Sequence, residues 1–133
     1  MGWRQRFEDR PLIMGVLNIT PDSFYDGGRF YASDTAIEHA LRLAEEGADI
    51  IDVGGESTRP SADATSVEEE LGRVIPVIKG IGTRSNVFIS IDTYKARVAQ
   101  EAVDAGAAMI NDVSGLSFDT KIGDVAAESR VPV

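Results

Sequence analysis

Four short apolar stretches of this chain each run into an acid or an amide. Leu12–Leu17 leads to Asn18, Ile50–Ile51 to Asp52, Val87–Ile91 to Asp92, and Ala107–Ile110 to Asn111-Asp112. Oxygen-rich side chains of this kind can hold a hard cation, or match donors and acceptors along the edge of a heteroaromatic ring. Other chemistries have less to work with. The single His39 lies inside a helical pattern, which argues against a serine–histidine triad or a histidine-rich metal site. With no cysteine there is no disulfide, no thiolate nucleophile and no cysteine-bound zinc.

The segments between these stretches have helical spacing. Thr35-Ala36-Ile37-Glu38 fits a capping box, and Ile37, Ala40, Leu41 and Ala44 share one face before Gly47. A second capping box, Ser66-Val67-Glu68-Glu69, opens a helix with Val67, Leu71, Val74 and Ile78 inward and Pro76 as an expected kink. A third helix spans about Tyr94–Ala105, with Ala99, Ala102 and Val103 inward and Gly106 as its stop. A weaker one lies near Asp119–Ser129, with Ile122, Val125 and Ala126 inward. Strand–helix alternation implies parallel strands, so the strand ends gather their polar residues on one face, where parallel α/β proteins place their sites. Asp92 could instead cap the helix that follows it, and Asn18 could serve only as a turn former.

Two aperiodic segments, Asn18–Ser33 and Gly54–Thr65, are of a length usual for binding loops or for disorder. Residues 1–10, with Trp3 and Phe7 among charges, read as an N-terminal arm, and residues 1–133 as one partial domain. The composition is 43% apolar with net charge −9, which argues against nucleic-acid binding. No apolar run approaches the ~20 residues of a membrane span, and a cytoplasmic protein is expected.

The repeated unit suggests a barrel or doubly wound sheet. A (β/α)8 barrel takes about 250 residues, so four β/α units, with Val131-Pro132-Val133 starting a fifth strand, make about half of one. A fragment, a sheet completed by a second copy, and an open sheet all remain available at this point.

Longer motifs narrow the choice. Met14-Gly15-Val16-Leu17-Asn18-Ile19-Thr20-Pro21-Asp22-Ser23-Phe24 with Asp26-Gly27-Gly28 comes first, followed by Asp52-Val53-Gly54-Gly55-Glu56-Ser57-Thr58-Arg59-Pro60. Ile91-Asp92-Thr93-Tyr94-Lys95 and Ile110-Asn111-Asp112-Val113-Ser114-Gly115 complete the series. In order and spacing they resemble the dihydropteroate synthase family of pterin-binding TIM barrels, from Leu12 to Val133. The resemblance implies a (β/α)8 fold covered here by its first four units. It implies a transferase of folate biosynthesis, of the kind sulfonamides target, joining 6-hydroxymethyl-7,8-dihydropterin diphosphate to p-aminobenzoate.

It further implies that Asn18 holds Mg2+ against the diphosphate, and that Thr58 and Arg59 lie at the diphosphate. Phe24, Ser57 and Pro60 would shape the aminobenzoate side. Asp92 and Asn111 would bind the pterin edge and carry the catalytic burden, with Asp52 and Asp112 behind them. The family also uses an Asp, a Lys and an Arg from later strands that this sequence does not reach, so the 133-residue chain alone is expected to have little activity. The alternatives are a self-assembling, homodimeric or non-catalytic half-barrel, or a related methyltetrahydrofolate-binding methyltransferase domain.

Overall fold

The computed structural model describes residues 10–19, 29–56 and 65–133, with residues 29–32 described by backbone alone. Strands and helices alternate: β1 (Met14–Asn18), α1 (Arg29–Glu45), β2 (Ile50–Gly54), α2 (Val67–Arg84), β3 (Phe88–Asp92), α3 (Ala96–Ala105), β4 (Met109–Asn111) and α4 (Lys121–Ser129). The strands form one parallel sheet in the order β1-β2-β3-β4. Pairing continues past β4, where the Ile110 amide donates to the Pro132 carbonyl at 2.9 Å, so the final apolar run lies alongside as the sequence suggests.

Alternation along the strands sorts the side chains onto two faces. Leu17, Ile51, Val53, Ile89, Ile91 and Ile110 face the helices and are buried with Ala36, Ile37 and Ala40 of α1, Val74, Val77, Ile78 and Ile81 of α2, and Val98, Ala99 and Ala102 of α3. Each large apolar side chain removed from water in this way contributes about 1.5–3 kcal/mol, and this layer is what fixes the strands. The other face carries Met14 and Val16, Ile50 and Asp52, Phe88 and Ser90, and Met109, and its polar residues lie at the carboxyl rim and, in Asp52 and Ser90, one level below it.

Two expectations are corrected. Helix α1 begins at Arg29, so Thr35 is helix interior and no capping box forms at Thr35–Glu38. Ser, Asp and Thr are only modestly unfavourable within a helix, and a packed apolar face outweighs that cost. Strand β2 runs on to Gly54, which places Asp52 in mid-strand and makes Gly54 the residue at the rim. Helix α2 runs unbroken through Pro76.

Other boundaries agree closely. Ser66 caps α2, its hydroxyl accepting from the Glu69 amide at 3.1 Å. Helix α3 starts at Ala96, two residues later than expected, and stops at Gly106, whose φ of +127° is a conformation glycine accepts without strain. Ile122, Val125 and Ala126 of α4 are buried as the spacing requires.

Candidate functional site

The parallel register lines up Asn18, Gly54, Asp92 and Asn111 across the carboxyl ends of the four strands. Gly54 leaves a hollow between two of the polar ends. A Cβ built there would lie 3.3 Å from Asp92 Oδ2 and 3.5 Å from Asn18 Oδ1. One level down, Asp52 is nearly buried and accepts a hydrogen bond from Asn111 Nδ2 at 3.1 Å. That bond commits the Asn111 amide nitrogen to Asp52 and leaves its carbonyl oxygen for the rim.

Among the described residues, Asp52 Oδ1 and the hydroxyl of Ser90 are buried without a hydrogen-bond partner of regular geometry. Burial pushes the Asp52 carboxyl up, and the nearby Ser90 and Asn111 only partly offset this. Asp92 is lifted further, to about 6, first by burial and then by the negative charges of Asp52, Glu70 and Asp112. No hydrogen bond among the described residues ties up its carboxylate, and it does not cap α3. That duty falls to Asp119, whose Oδ2 accepts from the Ala96 amide at 2.9 Å.

Asp112 has a local role. It accepts from the Ser114 amide at 2.9 Å, from the Ser114 hydroxyl at 2.7 Å and from the Leu116 amide at 3.0 Å, folding the turn after β4. A shallow hollow lined by Arg10, Ala48, Asp49, Ser85 and Asn86 lies near the amino ends of the strands and shares no residue with the rim.

Beside the rim is a polar network to which the sequence reading gave no role. Glu70 of α2 is almost fully buried, and accepts from Lys95 Nζ at 2.8 Å and from the Thr93 hydroxyl at 2.7 Å. Lys95 also donates to Glu56 Oε2 at 3.2 Å and to the Thr65 carbonyl. The other Glu56 oxygen takes the Tyr94 hydroxyl at 2.6 Å and the Thr65 amide at 3.1 Å. Burial opposes charge on Glu56, but the bonds from Tyr94, Thr65 and Lys95 prevail and lower its pKa. The Tyr94 hydroxyl is pushed up to about 12 by burial and by Glu56. A signal for this network was present: Glu70 falls on the apolar face of α2 between Val67 and Val74, and a charge there requires a partner.

Phe24, Ser57, Thr58, Arg59 and Pro60 lie outside the described residues. Those that remain, Asn18, Asp92 and Asn111, are brought together as the sequence reading required. Gly54 and Ser90 were missed because each looked like ordinary strand and turn material. Among the described residues no group of three or more His, Asp or Glu is arranged to hold a metal. A cation retaining several waters needs only one or two protein oxygens, and the Asn18 side-chain oxygen beside the Gly54 hollow suits that role.

A parallel β/α sheet with acids and amides gathered on its carboxyl rim defines a small-molecule site of the barrel type. The chain belongs to the pterin binding enzyme family, whose profile matches residues 14–133. It is 54% identical to the dihydropteroate synthase of Bacillus subtilis (strain 168) over 127 residues, covering 96% of this chain and 45% of that protein.

Among solved structures it is similar to Xanthomonas albilineans dihydropteroate synthase with 4-aminobenzoic acid, at TM-score 0.87 and 54% identity, covering 94% of this chain and 45% of that one. The same enzyme in complex with 7,8-dihydropteroate gives TM-score 0.83 and 49% identity, covering 96% and 45%. The four β/α units are thus a portion of a TIM barrel, and the chain spans slightly less than half the length of these relatives. No described helix is long and apolar enough to cross a membrane.

Proposed function

We propose that the protein is a dihydropteroate synthase, condensing 6-hydroxymethyl-7,8-dihydropterin diphosphate with p-aminobenzoate to give dihydropteroate and diphosphate. The observation that carries the reading is the shared rim of Asn18, Asp92 and Asn111 around Gly54. The relatives reported above bear the synthase name, which favours this reading over the methyltransferase one.

The pterin's pyrimidine edge offers adjacent N–H donors. The Asp92 carboxylate and the Asn111 carbonyl, its amide held by Asp52, are acceptors placed to meet them. With a pKa of about 6, Asp92 is ionised at neutral pH and can stabilise positive charge developing on the pterin methylene. The aminobenzoate nitrogen forms a bond to that carbon as the carbon–oxygen bond to diphosphate breaks, and the nitrogen gives up a proton to water. The protein's part is positioning and electrostatics.

Asn18 would hold Mg2+ together with substrate oxygens and water. Bound there, the ion neutralises charge on the departing diphosphate. Thr58 and Arg59 would meet the same group, and Phe24, Ser57 and Pro60 the aminobenzoate.

The test is an assay of the complete gene product with both substrates. Dihydropteroate and diphosphate should form in equal amounts, depend on both substrates, and fall at least tenfold when a chelator removes Mg2+. Absence of product with both substrates and Mg2+ present would contradict the assignment.

A further inference from the structure

The Lys95 network joins two points that the chain separates by eight residues. Glu56 lies just past β2 and Thr65 just before α2. Lys95 Nζ reaches the carboxylate of the first and the carbonyl of the second, while the Thr65 amide donates directly to Glu56. Arg73 duplicates the link on the other side, donating to the Gly55 carbonyl at 2.8 Å and to the Thr65 hydroxyl at 3.3 Å. Gly55 itself is pinned against α2, since a Cβ there would meet Val74 Cγ1 at 2.9 Å.

Lys95 also reaches toward the rim. Its ammonium pairs with Glu70, the other Glu70 oxygen takes the Thr93 hydroxyl, and the Lys95 amide donates to that hydroxyl at 3.2 Å. Thr93 directly follows Asp92. One ammonium, only 14% exposed at its side chain, therefore ties the ends of the β2–α2 connection to the turn that carries Asp92.

An ordinary stabilising ion pair needs one partner. Here two carboxylates and a backbone carbonyl from separate elements converge on a single cation at the carboxyl face. Burying Glu70 is costly unless it is paired, and the arrangement makes sense if the gain is a fixed geometry at the rim.

We propose that Lys95 is a positioning residue: it fixes the Glu56–Thr65 stem and the Asp92–Thr93 turn relative to each other, and so presets the rim for the pterin diphosphate. The consequence for catalysis rests on the synthase reading; the consequence for the stem does not.

The experiment compares the complete wild-type gene product with Lys95→Met and with Lys95→Met/Glu70→Gln. The double variant removes the buried charge that a lone Lys95→Met would strand, so it folds even if the single variant does not. Hydrogen exchange is read at the Thr65 amide and at Ile89 and Ile91 of β3. In the double variant, exchange at Thr65 should accelerate about tenfold or more while the β3 amides stay within about threefold. Unchanged exchange at Thr65, equal acceleration of both regions, or failure of the double variant to fold would each overturn the proposal.

In the steady-state assay, KM for the pterin diphosphate should rise about fivefold or more with kcat within about twofold. A fall in kcat at unchanged KM, as expected from a smaller folded fraction, would also overturn it. A wild-type protein without synthase activity would refute the functional reading and leave the exchange result to decide on Lys95.

Discussion

Asp92 is held in a setting that opposes its own ionisation: burial comes first, then Asp52, Glu70 and Asp112 around it. A carboxyl raised from 3.8 to about 6 on folding binds its proton more tightly in the native state. Below pH ~4 it is protonated in both states and costs nothing. Between about pH 4 and 6 the unfolded chain alone gives up the proton, so stability falls as pH rises, and above ~6 the loss is complete. Asp92→Asn should therefore stabilise the protein at pH 7.5, by about 1–2 kcal/mol once solvent screening of this partly exposed group is allowed for. The gain should vanish near pH 4. Urea denaturation at the two pH values, without added metal, measures it. A residue whose removal stabilises the fold is one retained for function.

The sequence identified Asp92 because it ends an apolar run. It did not identify Gly54, whose importance is the space it leaves between Asn18 and Asp92, a property of three strands in register and of no single segment.

Along single elements, local chemistry was readable where it acts locally. The Ser66 cap, the Gly106 stop and the buried face of α4 follow from short-range rules and appear where those rules put them. The start of α1 did not: the helix runs back to Arg29 through Ser33, Asp34 and Thr35, residues of weak helix propensity that read as its cap.

Two of the three glycines of helix α2 illustrate the same limit. A Cβ at Gly80 would fall on the Cδ1 of buried Ile37, whereas a Cβ at Gly82 would meet nothing within 4 Å. Both gain up to about 1 kcal/mol in helix propensity on becoming alanine. Overpacking costs about 1–3 kcal/mol, so Gly80→Ala should be net destabilising by about 1–2 kcal/mol and Gly82→Ala stabilising by about 0.5–1 kcal/mol. Thermal denaturation of the pair checks the close approach of α1 and α2, and equal shifts would contradict it.

For the molecule as a whole, the alternation of strand and helix sufficed to predict a parallel sheet with its polar ends on one face. What it left open was register, since a slip of one residue would turn every strand over. The structure resolves this through the apolar layer: Ile51, Val53, Ile89, Ile91 and Ile110 are all buried against helices only if Asp52, Ser90, Asp92 and Asn111 point the other way. That second face is apolar toward the amino ends of the strands, with Val16 57% exposed among the described residues, and polar at the rim and at Asp52 and Ser90 one level below it.

The position of Glu70 signals that it needs a partner, but which residues supply the network of Glu56, Glu70 and Lys95 was beyond sequence reasoning for the same cause. Its members come from three separate turns and helices, and only the assembled sheet brings them within hydrogen-bonding reach.

The central claim is that the carboxyl rim binds a flat bicyclic pterin through Asp92 and Asn111. Calorimetric titration of the complete gene product with 6-hydroxymethyl-7,8-dihydropterin, which has no diphosphate and requires no metal, tests it most directly. One site is expected, with affinity reduced about 100-fold in Asn111→Ala as two or so hydrogen bonds are lost in a desolvated pocket. Equal affinity in wild type and Asn111→Ala would contradict the account.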